Sequence, residues 1–466
     1  MQQDRHVAAL VLAAGKGTRM KSNKPKVLHE ILGQSLLWYV YQALENVVLK
    51  EHIWTVVGYA SHKIAEYYPD MTRNFIYQEQ QLGTGHAFQC AYQSLKEQGY
   101  TWCLVVNGDT PLITSESLVG LMEKTQRRGV DCALMSMFLD NPQGYGRIVR
   151  DEHGQFVKVI EEKDLTVKDT GASDMNEVNT GIYCVRLSHI EPFLHFLTNV
   201  NEQKEYYLPQ LLEICRDQGG HVDTSTGSCA DEFLGINTPK ELIRCEECMQ
   251  WRILNKFLEN GVVMHQPSLI RVGPQVELSP GVEITGPCEI YGQSCVANGS
   301  QIASHVWMKD VNVDQGTIVS SFSHIEGARV GPKCSIGPYA RLRPGTQVAE
   351  GSKVGNFVEV KKAQLDRGCK VSHLSYIGDA HIGEETNVGA GTITCNYDGT
   401  QKHQTSIGKQ AFIGSNTSLV APVSVGDYCV IGAGSTITKD VPEQMLSVAR
   451  GKQKNLDWKR KWSRES

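Results

Sequence analysis

Residues 407–437 read IGKQAF IGSNTS LVAPVS VGDYCV IGAGST I, with an aliphatic side chain at every sixth place: Ile407, Ile413, Leu419, Val425, Ile431 and Ile437. Glycine follows four of them, at Gly408, Gly414, Gly426 and Gly432. A period of six fits neither the 3.6-residue helix nor the two-residue alternation of a strand. It fits a chain that turns a corner every six residues and points one aliphatic group inward from each short strand. Coils of this kind bury one another, which makes a parallel β-helix.

The same beat runs through Val330, Ile336, Leu342, Val348, Val354 and Val360, with Gly331 and Gly337 in step. It stops between about Thr394 and Thr405, where Cys395-Asn-Tyr-Asp-Gly-Thr-Gln-Lys-His403 has turn composition. That segment reads as a loop pushed out of a coil, where binding residues often collect. Upstream, shorter runs at Ile284, Ile290, Val296 and Ile302, then Val313, Val319 and Ile325, slip in phase. The early coils therefore read as irregular.

The first half is different. Val7–Leu12 is a continuous apolar run expected to be a buried strand, and strand-like runs recur at Ile53–Val57, Cys103–Val106 and Ala133–Phe138. Amphipathic stretches around Leu36–Asn46, Ala87–Gln98 and Ser115–Arg127 alternate with them. Strand–helix alternation implies an α/β domain with a mostly parallel sheet. The expected organisation is an α/β domain over 1–239, a helical linker over 240–260 and a β-helix domain over 261–466.

The 466 residues allow two or three domains with real cores. A net charge of -5 argues against affinity of the whole chain for nucleic acid. The tail from Arg450 is locally basic, with Lys452, Lys454, Lys459, Arg460, Lys461 and Arg464 against Asp457 and Glu465. It reads either as solvated or as a contact for an anionic cofactor. The apolar run Val7–Ala14 is too short to span a bilayer and has no cleavage pattern behind it. With 14 cysteines scattered without disulfide-like spacing, a cytoplasmic protein is expected. Cys245 and Cys248 form a lone CxxC without the second pair a zinc site wants.

Leu12-Ala13-Ala14-Gly15-Lys16-Gly17-Thr18-Arg19-Met20 follows the first strand directly. A Gly-rich turn there lets backbone N–H groups face a phosphate. Neither GxxxxGK[ST] nor GxGxxG is present, and a plain glycine turn is the competing reading. Lys24-Pro25-Lys26 adds cations, so that Arg19 and Lys26 together suit a polyphosphate. Asn107-Gly108-Asp109 ends another strand, where a carboxylate is well placed for Mg²⁺.

Taken with Gln81-Leu-Gly83-Thr84-Gly85-His86, Gly144-Tyr-Gly146-Arg, Glu161-x-Lys163-Asp164, Asn179-Thr-Gly181 and Gly235-Ile-Asn237, these segments resemble the sugar-1-phosphate nucleotidyltransferases. The resemblance implies transfer of a uridylyl group from UTP to N-acetylglucosamine-1-phosphate, with pyrophosphate leaving. By it, Leu12, Ala13, Ala14 and Gly15 form the nucleotide loop, and Asn107 and Gly108 join it in binding the nucleotide. Arg19 and Lys26 act on the phosphates. Gln78, Gly83 and Thr84 read uracil, and Gly146, Glu161 and Asn179 hold the sugar. Asp109 and Asn237 hold Mg²⁺, and His86 is read as structural. Leu165 replaces the family's usual small residue after Glu-x-Lys-Asp.

In the second half, reactive residues interrupt the beat: Arg341-Leu-Arg343-Pro, Glu359-Val-Lys361, Ser372-His373-Leu-Ser-Tyr376, Asn387-Val-Gly-Ala390 and Asn396-Tyr397-Asp398-Gly399. Arg343 and Lys361 suit a phosphate, and His373 a general base. A lone histidine in a repeat is otherwise a surface residue. With its neighbours, nearly the whole chain resembles the bifunctional N-acetylglucosamine-1-phosphate uridylyltransferase / glucosamine-1-phosphate N-acetyltransferase family. That resemblance implies a left-handed, homotrimeric β-helix with acetyl-CoA as co-substrate. His373 would then deprotonate glucosamine-1-phosphate, and the Ala390 N–H would stabilise the oxyanion. Arg343, Lys361, Tyr376 and Asn387 would bind the sugar phosphate, and Asn396, Tyr397, Ser415, Ala433 and Arg450 would line the acetyl-CoA site. Two other readings remain open. One is a monofunctional nucleotidyltransferase with the β-helix as a scaffold, and the other a non-catalytic protein built from the same folds.

Overall fold

The computed structural model describes residues 6–127, 129–165, 175–227 and 229–458. Lys459, Arg460, Lys461, Arg464 and Glu465 of the basic tail lie outside the described residues. The chain forms two compact units, Met1–Met249 and Gln250–Ser466.

The first unit is built on strands β1 (Val7–Leu12), β2 (Ile53–Val57), β3 (Phe75–Tyr77), β4 (Trp102–Asn107), β5 (Cys132–Phe138), β6 (Arg147–Arg150), β7 (Phe156–Ile160), β8 (Glu177–Arg186) and β9 (Val222–Thr226). The sheet order is β9-β5-β8-β4-β1-β2-β3, with β6 and β7 as an appended hairpin on β8. Pairs β1–β2, β1–β4, β2–β3 and β5–β9 are parallel, and only β8 runs against its two neighbours in the main sheet. Helices α1 (Leu36–Glu45), α2 (Ser61–Tyr67), α3 (Thr84–Glu97), α4 (Ser115–Arg127), α5 (Leu187–Ile190) and α6 (Pro209–Asp217) complete it. Along β1, Val7, Ala9 and Val11 enter one core while Ala8 and Leu10 enter another. A strand covered on both faces has no polar side, so it reads as one apolar run. β8 was not legible. Its sequence EVNTGIYCVR is broken by Asn179-Thr180-Gly181, and a register shift against β5 falls at that break.

Helix α7 (Pro239–Glu259) begins in the first unit and ends in the second. A reciprocal capping box opens it: the Thr238 Oγ1 accepts from the Glu241 N–H at 3.3 Å, and Glu241 Oε2 accepts from the Thr238 N–H at 2.9 Å. The side chains of Leu254 and Phe257 join the β-helix core.

The second unit is a left-handed parallel β-helix whose three faces carry sheets of 11, 10 and 9 strands. Its inward aliphatic residues stack coil on coil, as Ile336 on Val354 and Val360 on Ile377. Hydroxyls buried beside them bond carbonyls of the next coil, as Thr317 to Gly331 at 2.8 Å and Ser352 to Asp366 at 2.8 Å, which offsets the cost of burying them.

From Ile284 the early coils are regular, against the expectation from their phase slips. Ile284 pairs with Ile302 eighteen residues on, whereas Ile302 pairs with Val319 and Val319 with Ile336 seventeen on. The missing residue always comes from the same corner, between Met308 and Val313, Ile325 and Val330, Val360 and Leu365, and Ile377 and Ile382. Each shortened corner is turned by a left-handed residue: Asp310 (φ 55°), Gly327 (φ 55°), Lys362 (φ 45°) and Asp379 (φ 47°). Three of these are not glycine, so the tightening leaves no glycine signature. The one long excursion, after Thr394, leaves from the same corner, since Thr394 pairs with Leu419 and Ile382 with Ile407.

Candidate functional sites

In the first unit, the loops after β1, β2 and β4 meet beyond the carboxyl ends of parallel strands, where open α/β sheets bind ligands. A cleft of about 440 Å³ lies there. Its wall includes Leu12, Ala13, Ala14, Gly15, Arg19, Lys26, Gln78, Gly83, Thr84, Asn107, Asp109, Gly146, Glu161, Asn179 and Asn237. Gly108 is the exception. It is buried behind the wall, its N–H bonding Leu12 O at 3.0 Å, and a Cβ there would press on Val27 at 3.1 Å.

The capping box holds Asn237 at the start of α7, and its Oδ1 accepts from Arg19 Nη2 at 2.8 Å and Lys26 Nζ at 3.2 Å. Lys26 also makes a short ion pair with Asp109. A carboxylate and an amide oxygen thus converge on one cationic point beside the Gly15 loop. Gly83, at φ +101°, leaves no room for a side chain, because a Cβ would stand 2.6 Å from Tyr206 O. Thr84 is partly committed: its Oγ1 accepts from the Leu208 N–H at 3.1 Å.

At the other end of the cleft, Glu161 is pushed up to about 7, first by burial and then by the charges of Asp164, Glu205 and Glu213. Asn179 donates to the Tyr183 hydroxyl at 2.7 Å and accepts from the Gly181 N–H at 3.0 Å, so the break in β8 is stitched by the side chain that faces the cleft. Tyr183, Glu205 and Phe233 also line the cleft. Sequence reading missed them, since an isolated aromatic or carboxylate carries no spacing signal.

In the second unit the strand register decides the site. Asn356 pairs with His373, and the pairings of Val371 with Val388, Val388 with Ile413 and Ile413 with Ile431 carry the same column on to Ala390, Ser415 and Ala433. Five successive coils therefore place these residues one above another at one corner. Arg450 closes the column, its Nη1 donating to Ala433 O at 2.7 Å. His373 is exposed, and its Nδ1 meets Asn356 Oδ1 at 2.7 Å. An amide oxygen only accepts, so Nδ1 carries the hydrogen and Nε2 is left as the basic nitrogen. Asn356 was not singled out from sequence, because its partner is seventeen residues away.

The next corner column brings Arg343 beside Lys361 and, from the excursion, Lys402. The Lys402 ammonium, with Arg343 behind it, holds Lys361 below its ordinary value. Glu359 pairs with Arg343 at 2.9 Å, and Tyr376 stands directly over Glu359 in the ladder. Asn396 donates to Asp379, and Tyr397 is exposed on the excursion. Asn387 lies on the face before the corner, one coil above Lys370. Lys402, also unforeseen, offers a cation that the composition of the loop alone does not distinguish from a solvated one.

Comparison with known proteins is in keeping with both halves. A model of the MobA-like NTP transferase domain matches residues 9–143, and one of the bacterial transferase hexapeptide (six repeats) matches 404–439. "Bifunctional protein GlmU" of Oleidesulfovibrio alaskensis is 47% identical over 96% of this chain and 97% of its own. The protein of the same name from Lawsonia intracellularis is 48% identical over 98% and 99%, and that from Carboxydothermus hydrogenoformans 41% over 96% and 98%. The chain belongs to the GlmU family. Like other GlmU proteins it is a bifunctional transferase of UDP-N-acetylglucosamine synthesis, with a nucleotidyltransferase half and an acyltransferase half. The scaffold-only and non-catalytic readings are thereby set aside. Among the described residues no helix is long and apolar enough to cross a membrane. No group of three or more His, Cys, Asp or Glu that could hold a metal is found among them either.

Proposed function

We propose that acetyl transfer occurs at the His373 column and uridylyl transfer in the cleft of the first unit. The observation that carries the first assignment is the alignment of Asn356, His373, Ala390, Ser415 and Ala433 on successive coils. Asn356 holds the His373 tautomer, and Nε2 takes a proton from the amino group of glucosamine-1-phosphate. The amine nitrogen then attacks the thioester carbon of acetyl-CoA. The Ala390 N–H receives the negative charge on the carbonyl oxygen. The C–S bond breaks and the CoA sulfur leaves, taking up a proton as the thiol. Arg343, Lys361 and Lys402 receive the sugar phosphate, flanked by Tyr376 and Asn387. Ser415, Ala433 and Arg450, with Asn396 and Tyr397 on the excursion, carry acetyl-CoA along the column.

In the cleft, a phosphate oxygen of N-acetylglucosamine-1-phosphate attacks the α-phosphorus of UTP and pyrophosphate leaves. Little covalent work falls to the protein, and positioning with charge neutralisation carries the step. The Leu12–Gly15 backbone, Arg19 and Lys26 hold the phosphates. Gln78 and Gly83 hold the uracil, and Gly146, Glu161 and Asn179 hold the sugar. Asp109 and Asn237 fit Mg²⁺: two oxygens converge where the Lys26 ammonium now stands, and a hard cation that keeps water and phosphate ligands needs few from protein. When bound, Mg²⁺ supplies further neutralisation of phosphate charge.

Assembly as a homotrimer is supported by a stripe on the β-helix. His305, Phe322, Tyr339 and Phe357 stack in succession, with centroids 4.6, 4.9 and 5.1 Å apart, and Leu374 follows beside His373. Tyr339 is 46% exposed and Phe357 57%, an apolar run that a second copy would cover. Fourteen free thiols and the need for UTP and acetyl-CoA favour the cytoplasm.

The test is thiol release from acetyl-CoA with glucosamine-1-phosphate. Wild type is expected to release CoA and His373→Ala to release none, with uridylyl transfer retained. Loss of both activities in a folded His373→Ala protein would overturn the two-site assignment.

A further inference from the structure

Gln78 is buried at 3% exposure, and every group it has is clamped except one. Its N–H bonds Val57 O at 2.8 Å, and its own carbonyl accepts from Gln81 Nε2 at 2.9 Å. Its side-chain nitrogen lies 3.1 Å from Gly83 O and 3.0 Å from His86 Nδ1. A backbone carbonyl only accepts, so the Gly83 contact identifies that atom as the NH₂. His86 Nδ1 must then be an acceptor as well, which places the histidine hydrogen on Nε2. There it points at Cys90 Sγ, 3.8 Å away, a weak acceptor one helical turn on. The chain Cys90–His86–Gln78–Gly83 thus has a single consistent sense. Both amide hydrogens are used inside the protein, which leaves Oε1 as the side-chain atom with no protein hydrogen bond in a residue that lines the cleft.

We propose that His86 is a specificity-determining positioning residue, fixing the Gln78 amide so that the base pocket presents an acceptor and rejects cytosine. The inference rests on Gln78 meeting the base. Uracil offers a donor at N3 and cytosine a lone pair, so an outward Oε1 pairs with the first and repels the second. Turning the amide over would present NH₂ to cytosine N3. With His86 in place, the turn breaks two hydrogen bonds, sets oxygen against Gly83 O, and opposes Nδ1 unless the imidazole moves its hydrogen there and gives up the contact with Cys90 Sγ. Without it, only the Gly83 contact resists. His86 never touches the nucleotide, so its effect belongs to discrimination rather than to turnover.

The experiment measures kcat/KM for UTP and for CTP with the full-length protein, with Mg²⁺ and N-acetylglucosamine-1-phosphate. His86→Leu is expected to lower the UTP/CTP ratio about tenfold, the order of one hydrogen bond with its unmet partner. Its kcat at saturating UTP should stay near wild type. His86→Asn sets an amide oxygen where Nδ1 stood and should restore the ratio. His86→Gln reaches instead to the Nε2 position and should not. A ratio unchanged in folded His86→Leu, or equal recovery by Asn and Gln, would overturn the proposal and leave His86 as packing. Gln78→Ala separates the two layers: an unchanged UTP KM there would remove Gln78 from the base pocket and the proposal with it.

Discussion

Glu161→Gln tests whether the sugar end of the cleft holds a carboxyl against its ionisation. In the folded protein Glu161 is raised from 4.5 to about 7, burial leading and the carboxylates of Asp164, Glu205 and Glu213 adding to it. At about 1.4 kcal/mol per tenfold, ionisation is ~3 kcal/mol harder than in the unfolded chain. The side chain edges an open cleft, so solvent screens part of this and about 1–2 kcal/mol remains. The sign follows from proton counting. Between pH 4.5 and 7 the folded state keeps a proton that the unfolded chain releases, so stability falls as pH rises through that window, and the whole penalty is present above it. Glutamine matches the neutral carboxyl in shape and does not titrate. The variant should therefore equal wild type near pH 4.5 and exceed it at pH 8 by about 1–2 kcal/mol. For a unit of this size, that is a rise of about 2–8 °C in melting temperature. Calorimetry at both pH values, with the first unit's transition identified by its shift with UTP, measures it. At pH 8 the variant should also show a raised KM for N-acetylglucosamine-1-phosphate, since the ionised acceptor is lost from the sugar. Parallel pH profiles for the two proteins would refute the reasoning and make Glu161 an ordinary solvated carboxylate.

Asp109→Ala removes the carboxylate that meets Lys26 beside Asn237 and should abolish uridylyl transfer while thiol release continues; undiminished UTP-dependent activity would refute the metal assignment. Phe357→Glu sets a charge in the exposed stack and should lower the sedimentation mass to that of a monomer, with acetyl transfer lost and uridylyl transfer kept. A Phe357→Glu protein that still sediments as a trimer would place the interface elsewhere.

Much of this was legible in the chain because it is local. A six-residue beat is written wherever one side chain per strand must point inward, so the β-helix declares itself in Ile407–Ile437 without any knowledge of its neighbours. The Leu12–Gly15 turn and the Asn107–Asp109 strand end are likewise short segments whose backbone and charge point to phosphate by themselves. What the tertiary structure alone decided is non-local. Whether a coil takes seventeen or eighteen residues shows only in the ladder register, since left-handed residues turn full and shortened corners alike, as Gly292 and Asp310 do. That count then sets Asn356 under His373 and Ala390 over it. Lys26 meets Asp109 across 83 residues of chain and Asn237 across 211, because the β1 and β4 loops and the cap of α7 share one cleft. The orientation of Gln78 follows from a carbonyl at Gly83 and a ring at His86, both brought in by the start of α3. Residue chemistry was readable from sequence; which atoms face each other, and hence tautomer, charge state and specificity, depended on the packing.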